Sequence, residues 1–205
     1  MKKRTAFIGA ILSLIPLGQP LLIKTGVVLS STGLMIALPK KVNAETSTFY
    51  FNRALEKGKN GDNYGAISDY TKAIEINPNK YEAYYNRGNA KRKLKDYYGA
   101  ISDYTKAIEI DPQFVNAFYN RGIAKANLKD YYGAISDFTK AIEINPKKEE
   151  AFNNRGNAKN SLKDYFGAIS DYTKVIEINP KNDEAYYNRG IAKANLKDYY
   201  GAISD

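Results

Sequence analysis

The sequence predicts an all-α fold, a solenoid of antiparallel helix pairs preceded by a leader of different composition. Three observations carry that prediction. From Ser47 onward the chain aligns to itself at a spacing of 34 residues without a gap. Prolines punctuate the alignment at Pro78, Pro112, Pro146 and Pro180. Between them, apolar residues such as Ala100, Ile101, Tyr104, Ala107 and Ile108 recur at helical spacing. A fixed period of this length means stacked supersecondary units, each burying an apolar face against its neighbours.

The leader covers residues 1–44. Lys2-Lys3-Arg4 precedes a long apolar stretch from Ala6 to Leu38, and Val42-Asn43-Ala44 supplies the small or branched residues of a signal-peptidase site. This pattern predicts a secretory signal cleaved after Ala44, and an exported mature protein beginning at Glu45. Pro16, Gly18, Pro20 and Lys24 interrupt the apolar stretch, which is also long for a signal core. A second reading therefore stands beside the first: a retained membrane anchor, or a hairpin turning at Pro16–Pro20 with Lys2–Arg4 and Lys40–Lys41 both on the cytoplasmic side.

The repeated domain covers residues 45–205, with units at 47–80, 81–114, 115–148, 149–182 and a partial unit at 183–205. Each unit predicts two helices. The first spans a stretch such as Tyr81–Leu94. The second starts after Asp96, whose carboxylate can accept from the free amides of the first turn. It runs to about Ile110 and stops at Asp111-Pro112, because a residue before proline avoids the helical region. Unit one is atypical. Ala54 stands where later units have glycine, and Gly58-Lys59-Asn60-Gly61 weakens the end of its first helix. In unit five the first helix, Asp183–Leu196, can cover unit four. The remaining Asp198–Asp205 is too short for a stable helix alone, which leaves two readings open, a frayed tail or a longer array.

Composition removes whole classes of chemistry. The chain has no Cys and no His, which excludes disulfides, thiolate nucleophiles, Cys/His zinc sites and His general bases. No catalytic residue, cofactor or metal site is expected within residues 1–205. The net charge of +9 is concentrated in the leader, which holds Lys2, Lys3, Arg4, Lys24, Lys40 and Lys41 and no acid. The rest carries 25 basic and 22 acidic side chains, a balance that argues against a nucleic-acid partner.

The units resemble the tetratricopeptide (TPR) repeat. Tyr84, Gly88, Ala100, Tyr104, Ala107 and Pro112 match its pattern, as do Phe118, Gly122, Ala134, Phe138, Ala141 and Pro146, and then Phe152, Gly156, Ala168, Tyr172 and Pro180. The resemblance implies a right-handed α-solenoid. Gly88 and Ala100 read as small because paired helices approach closely, and Tyr84 and Tyr104 as filling the space between units. Two departures inform. Arg53, Arg87, Arg121, Arg155 and Arg189 replace the leucine, and Lys57, Lys91, Lys125, Lys159 and Lys193 replace the tyrosine. The arginines predict one of two things. They form an anion-binding ladder, or each pairs with the aspartate sixteen residues on: Asp69, Asp103, Asp137, Asp171 and Asp205. Pairing is preferred, since a repeated opposite charge at fixed offset is what a partly buried ion pair requires. The pairs Arg87–Asp103, Arg121–Asp137 and Arg155–Asp171 are its test cases. The lysines are expected to lay their stems over the interface with the ammonium in water.

A stack of helix pairs presents a concave surface lined by the first helix of each unit. Phasing puts Asn52, Asn86, Asn120, Asn154 and Asn188 on that line, beside Phe51, Tyr85, Tyr119, Asn153 and Tyr187. Leu55, Asn89, Ile123, Asn157 and Ile191 follow one turn on. The asparagine column resembles the peptide-binding surface of TPR arrays in O-linked sugar transferases, which implies that its amides bond an extended backbone while Tyr85, Tyr119 and Tyr187 contact side chains. The alternative is that the asparagines satisfy nearby helix ends. The groove does not resemble the chaperone-tail clamp, which needs lysine or arginine at inner positions. The expected function is a non-catalytic scaffold for partner proteins. Other readings are a module of a longer enzyme, a single-strand nucleic-acid binder using stacked tyrosines, a glycan binder, and attachment to membrane through residues 1–44 if these are retained.

Overall fold

The computed structural model describes residues 40–205, and among them every regular element is an α-helix. In order these are α1 (Lys40–Lys59), α2 (Asn63–Ile76), α3 (Tyr81–Lys93), α4 (Tyr97–Ile110), α5 (Val115–Asn127), α6 (Tyr131–Ile144), α7 (Glu149–Ser161), α8 (Tyr165–Ile178), α9 (Asp183–Asn195) and the short α10 (Tyr199–Ser204). Each odd helix pairs with the even helix that follows it, and each even helix packs on the next odd one. The leader's basic start, apolar stretch and Pro16–Pro20 turn lie outside the described residues. Helix α1 begins at Lys40 and runs through the point after Ala44 where cleavage is expected. Among the described residues no helix is long and apolar enough to cross a membrane.

Local chemistry sets the boundaries. Every even helix starts from an aspartate cap: Asp62, Asp96, Asp130, Asp164 and Asp198 accept from the amides of Gly65, Gly99, Gly133, Gly167 and Gly201. The even helices end where proline follows. Asp111 leaves the helix at φ −125°, ψ 92°, and its carboxylate accepts from the Gln113 amide at 3.0 Å. The odd helices end in a Schellman turn, in which the Lys95 amide donates to Arg92 O and the Asp96 amide to Lys91 O, both at 2.9 Å. Such a turn needs a left-handed residue. Unit one uses Gly61 at φ 83°, whereas Lys95, Lys129, Lys163 and Lys197 take φ values of 63–64°.

The core repeats with the units. Ala66, Ala100, Ala134 and Ala168 are fully buried, as are Ala83, Ala117, Ala151 and Ala185. A large ring lies inside each full pair: Tyr70, Tyr104, Phe138 and Tyr172, none more than 3% exposed. Close approach within the pair explains Gly88: a β-carbon there would meet the Tyr104 ring of α4 at 2.8 Å. Tyr104 accordingly fills its own pair and also touches Ala124 of the next unit. Tyr84 packs on the core of unit one, between units as expected.

Candidate functional site

The first helix of each unit carries the arginine, and its fate decides what the concave face can bind. In unit two, Arg87 Nε and Nη2 donate to the Asp103 carboxylate at 2.9 and 2.7 Å. Arg121–Asp137, Arg155–Asp171, Arg53–Asp69 and Arg189–Asp205 repeat this two-pronged geometry. The remaining nitrogen reaches backwards. Arg87 Nη1 donates to Thr71 Oγ1, Arg121 to Thr105, Arg155 to Thr139 and Arg189 to Thr173, so each guanidinium ties its unit to the previous one. With all five guanidinium groups held by carboxylates, and four of them also by threonine, these arginines do not form an anion ladder.

The lysines differ from the expectation. Lys91 Nζ lies 2.8 Å from Asp103 Oδ2, and Lys57, Lys125, Lys159 and Lys193 sit likewise on their own aspartates. Their ammonium groups turn in to the carboxylate because its buried Oδ2, which already accepts from the arginine Nε, has a further lone pair to satisfy. Burial pushes the carboxyls of Asp69 and Asp205 up. The hydrogen bonds from Arg53 and Lys57, and from Arg189 and Lys193, outweigh it and hold both below the usual carboxylate value.

Four of the five asparagines turn their amide groups to neighbours. Asn120 Nδ2 donates to the Tyr85 hydroxyl at 3.0 Å and to Asn89 Oδ1 at 2.9 Å. Asn154 donates to the Tyr119 hydroxyl at 2.8 Å. Asn86 donates to the carbonyl of Glu82 in its own helix. Asn153 occupies the tyrosine position in unit four, so Asn188 reaches Asn157 Oδ1 at 3.5 Å instead, and Asn153 itself donates to Glu184. Asn52, in the first unit, is exposed. The phenols of Tyr85 and Tyr119 are thus partly tied down, while Tyr187 is 70% exposed. Tyr187 and Ile191 help line an open hollow of about 480 Å³, together with Tyr186, Gly190, Ala194 and Ala202.

Two features escaped the sequence reading. Asn89 and Asn157 accept from the buried hydroxyls of Tyr104 and Tyr172, each at 2.7 Å. Their signal is a partial covariation between units: Ile123 goes with Phe138, which has no hydroxyl, although in unit one Leu55 goes with Tyr70. The other is Arg92, on the same face of α3 as Tyr85 and Asn89. It pairs with no aspartate, and its Nε is buried with no hydrogen-bond partner. Among the described residues no cluster of acids could hold a metal ion.

The comparisons fit this geometry. One family model, the tetratricopeptide repeat, matches residues 81–114 and 115–148, and a second TPR model matches 59–94 and 156–197. No curated protein matches the sequence significantly. Among solved structures, the crystal structure of the MamA protein is 28% identical, with a TM-score of 0.76 over 78% of this chain and 87% of that one. YrrB, described as a TPR protein with an unusual peptide-binding site, is 25% identical, with a TM-score of 0.71 over 80% of this chain and 84% of its own. The first TPR of Spaghetti (RPAP3), solved with the HSP90 peptide SRMEEVD, is 31% identical, with a TM-score of 0.56 over 58% of this chain and 94% of that one. The gapless helix pairs, their spacing and these matches make the chain a tetratricopeptide-repeat protein.

Proposed function

We propose that the protein is a non-catalytic interaction scaffold whose concave face binds an extended segment of a partner protein. The observation that carries this reading is where the units differ. Their framework is nearly invariant, yet the face of the first helices changes from unit to unit: Tyr85, Tyr119, Asn153 and Tyr187 at one position, Asn89, Ile123, Asn157 and Ile191 at the next. A surface that varies on a constant scaffold is where a solenoid carries specificity. YrrB and RPAP3, which share the fold, are described with peptide sites or peptides. In this reading the tyrosine hydroxyls orient Asn120 and Asn154, whose amide oxygens accept N–H groups of the segment. Tyr85, Tyr119 and Tyr187 contact its side chains. Asn52, Asn86 and Asn188 extend the same line.

Binding is expected to be about micromolar, because an extended segment loses conformational freedom on docking. Random decapeptides displayed on phage and selected on the full chain test the reading. We expect enriched sequences whose retention falls on changing Tyr187 and Ile191 together to alanine, with the melting temperature unchanged. Absence of enrichment, or retention indifferent to that change, would sink it. The leader is proposed to export the protein, with cleavage after Ala44 and attachment to membrane as the alternative. The intact mass of the native protein distinguishes the two.

A further inference from the structure

Arg92 is a cation with no aspartate or glutamate partner on the concave face. The equivalent positions in the other units hold Gly58, Ala126, Asn160 and Ala194, so the repeat framework does not require arginine there. Among the described residues every other arginine is bound to an aspartate of its own unit. Arg92 lies one turn beyond Asn89 and two beyond Tyr85, which places it on the concave face. Its charge acts on the phenols of Tyr104 in its own unit and Tyr119 in the next, in keeping with a place near the junction of units two and three. The acids nearby are otherwise placed. Glu82 is ten residues back on the same helix, about 15 Å along the axis, and Glu150 lies 3.6 Å from Lys148.

The unpartnered Nε has company. Only four buried side-chain polar atoms among the described residues lack a hydrogen bond, and three belong to this face: Arg92 Nε, Asn153 Oδ1 and Asn160 Oδ1. Buried polar groups are otherwise almost always paired, and three unpaired on one surface are what the polar groups of a docked segment would satisfy. The chemistry of the three is not symmetrical. Arg92 is a planar donor suited to a carboxylate, whereas the two asparagine oxygens are acceptors suited to N–H groups.

We infer that the bound segment carries an aspartate or glutamate side chain that docks on Arg92, with N–H groups further along it meeting Asn153 and Asn160. This rests on the groove reading above and gives it a chemical preference and a direction. The same peptide selection tests it, followed by titration of one enriched peptide and its acid-to-amide counterpart. We expect one fixed acidic position among the enriched peptides, and about tenfold weaker binding when that residue is changed to Gln or Asn. Arg92→Gln should erase the acidic preference, and moving the charge with Arg92→Ala plus Ala126→Arg should shift the preferred position along the peptide. Ala126 and Ala194 show that the position tolerates a small neutral residue and Arg92 that it tolerates an arginine, and an unchanged melting temperature of each variant checks that folding is kept. Enriched peptides with no acidic preference, or a preference that survives Arg92→Gln, overturn this inference and leave the groove reading standing. No enriched peptide at all overturns both.

Discussion

Tyr104, Phe138 and Tyr172 occupy one position in successive units, and the two hydroxyls there donate to asparagine. Tyr104 and Tyr172 bond Asn89 and Asn157, whereas unit three carries Phe138 with Ile123, and unit one carries Tyr70 with Leu55. Burial also pushes the Tyr104 and Tyr172 phenols well above their ordinary value, and takes Tyr70 up to about 12. Changing Asn157 to Ile leaves a phenol unpaired and should destabilise the protein by about 1–3 kcal/mol. Adding Tyr172→Phe, which recreates the unit-three pair, should restore most of that loss. Thermal melts of the two single variants and the double variant check the cycle, and a double variant no more stable than Asn157→Ile would refute the pairing rule. Legibility at this scale depends on charge. The arginine–aspartate offset stood out because opposite signs at fixed spacing demand one another. Asn120 and Asn154 are uncharged, and their acceptors are hydroxyls 35 residues back in another unit. Nothing local in the sequence separates that arrangement from amides free for a ligand.

Helix ends were more legible than helix faces. Asp96, Asp130 and Asp164 announce the starts, and the residue before each proline announces a stop, because both act on the backbone within a turn. The left-handed turn was visible only in unit one, where Gly61 marks it. Elsewhere a lysine hides the same geometry. A non-glycine residue at φ 63° crowds its β-carbon against the following carbonyl. Lys129→Gly should therefore stabilise the protein by about 1 kcal/mol, read as a higher denaturation midpoint with the slope unchanged. An unchanged or lower midpoint would mean that the lysine side chain repays its backbone strain.

An aspartate buried between two cations recurs in every unit, and those at the two ends of the array, Asp69 and Asp205, bear on the response to acid. The folded carboxyls of Asp69 and Asp205 titrate below their unfolded value of about 3.9. Their contribution is thus complete above that value and is lost as pH falls through the folded one. Circular dichroism melts should hold steady from neutral pH to about 5 and drop below 4; a loss beginning near neutrality would contradict this. The link from each guanidinium back to the threonine of the previous unit has a further consequence, for inheritance. Every contact is defined relative to a neighbour, and none relative to the ends. Unequal recombination between near-identical copies that adds or removes 34 residues delivers each arginine to an equivalent aspartate and threonine. A slip of any other length strands the arginine whose aspartate or threonine lies across the junction. The gene can therefore lengthen or shorten its rod in whole steps, and the face that varies between units can be reshuffled without rebuilding the frame beneath it.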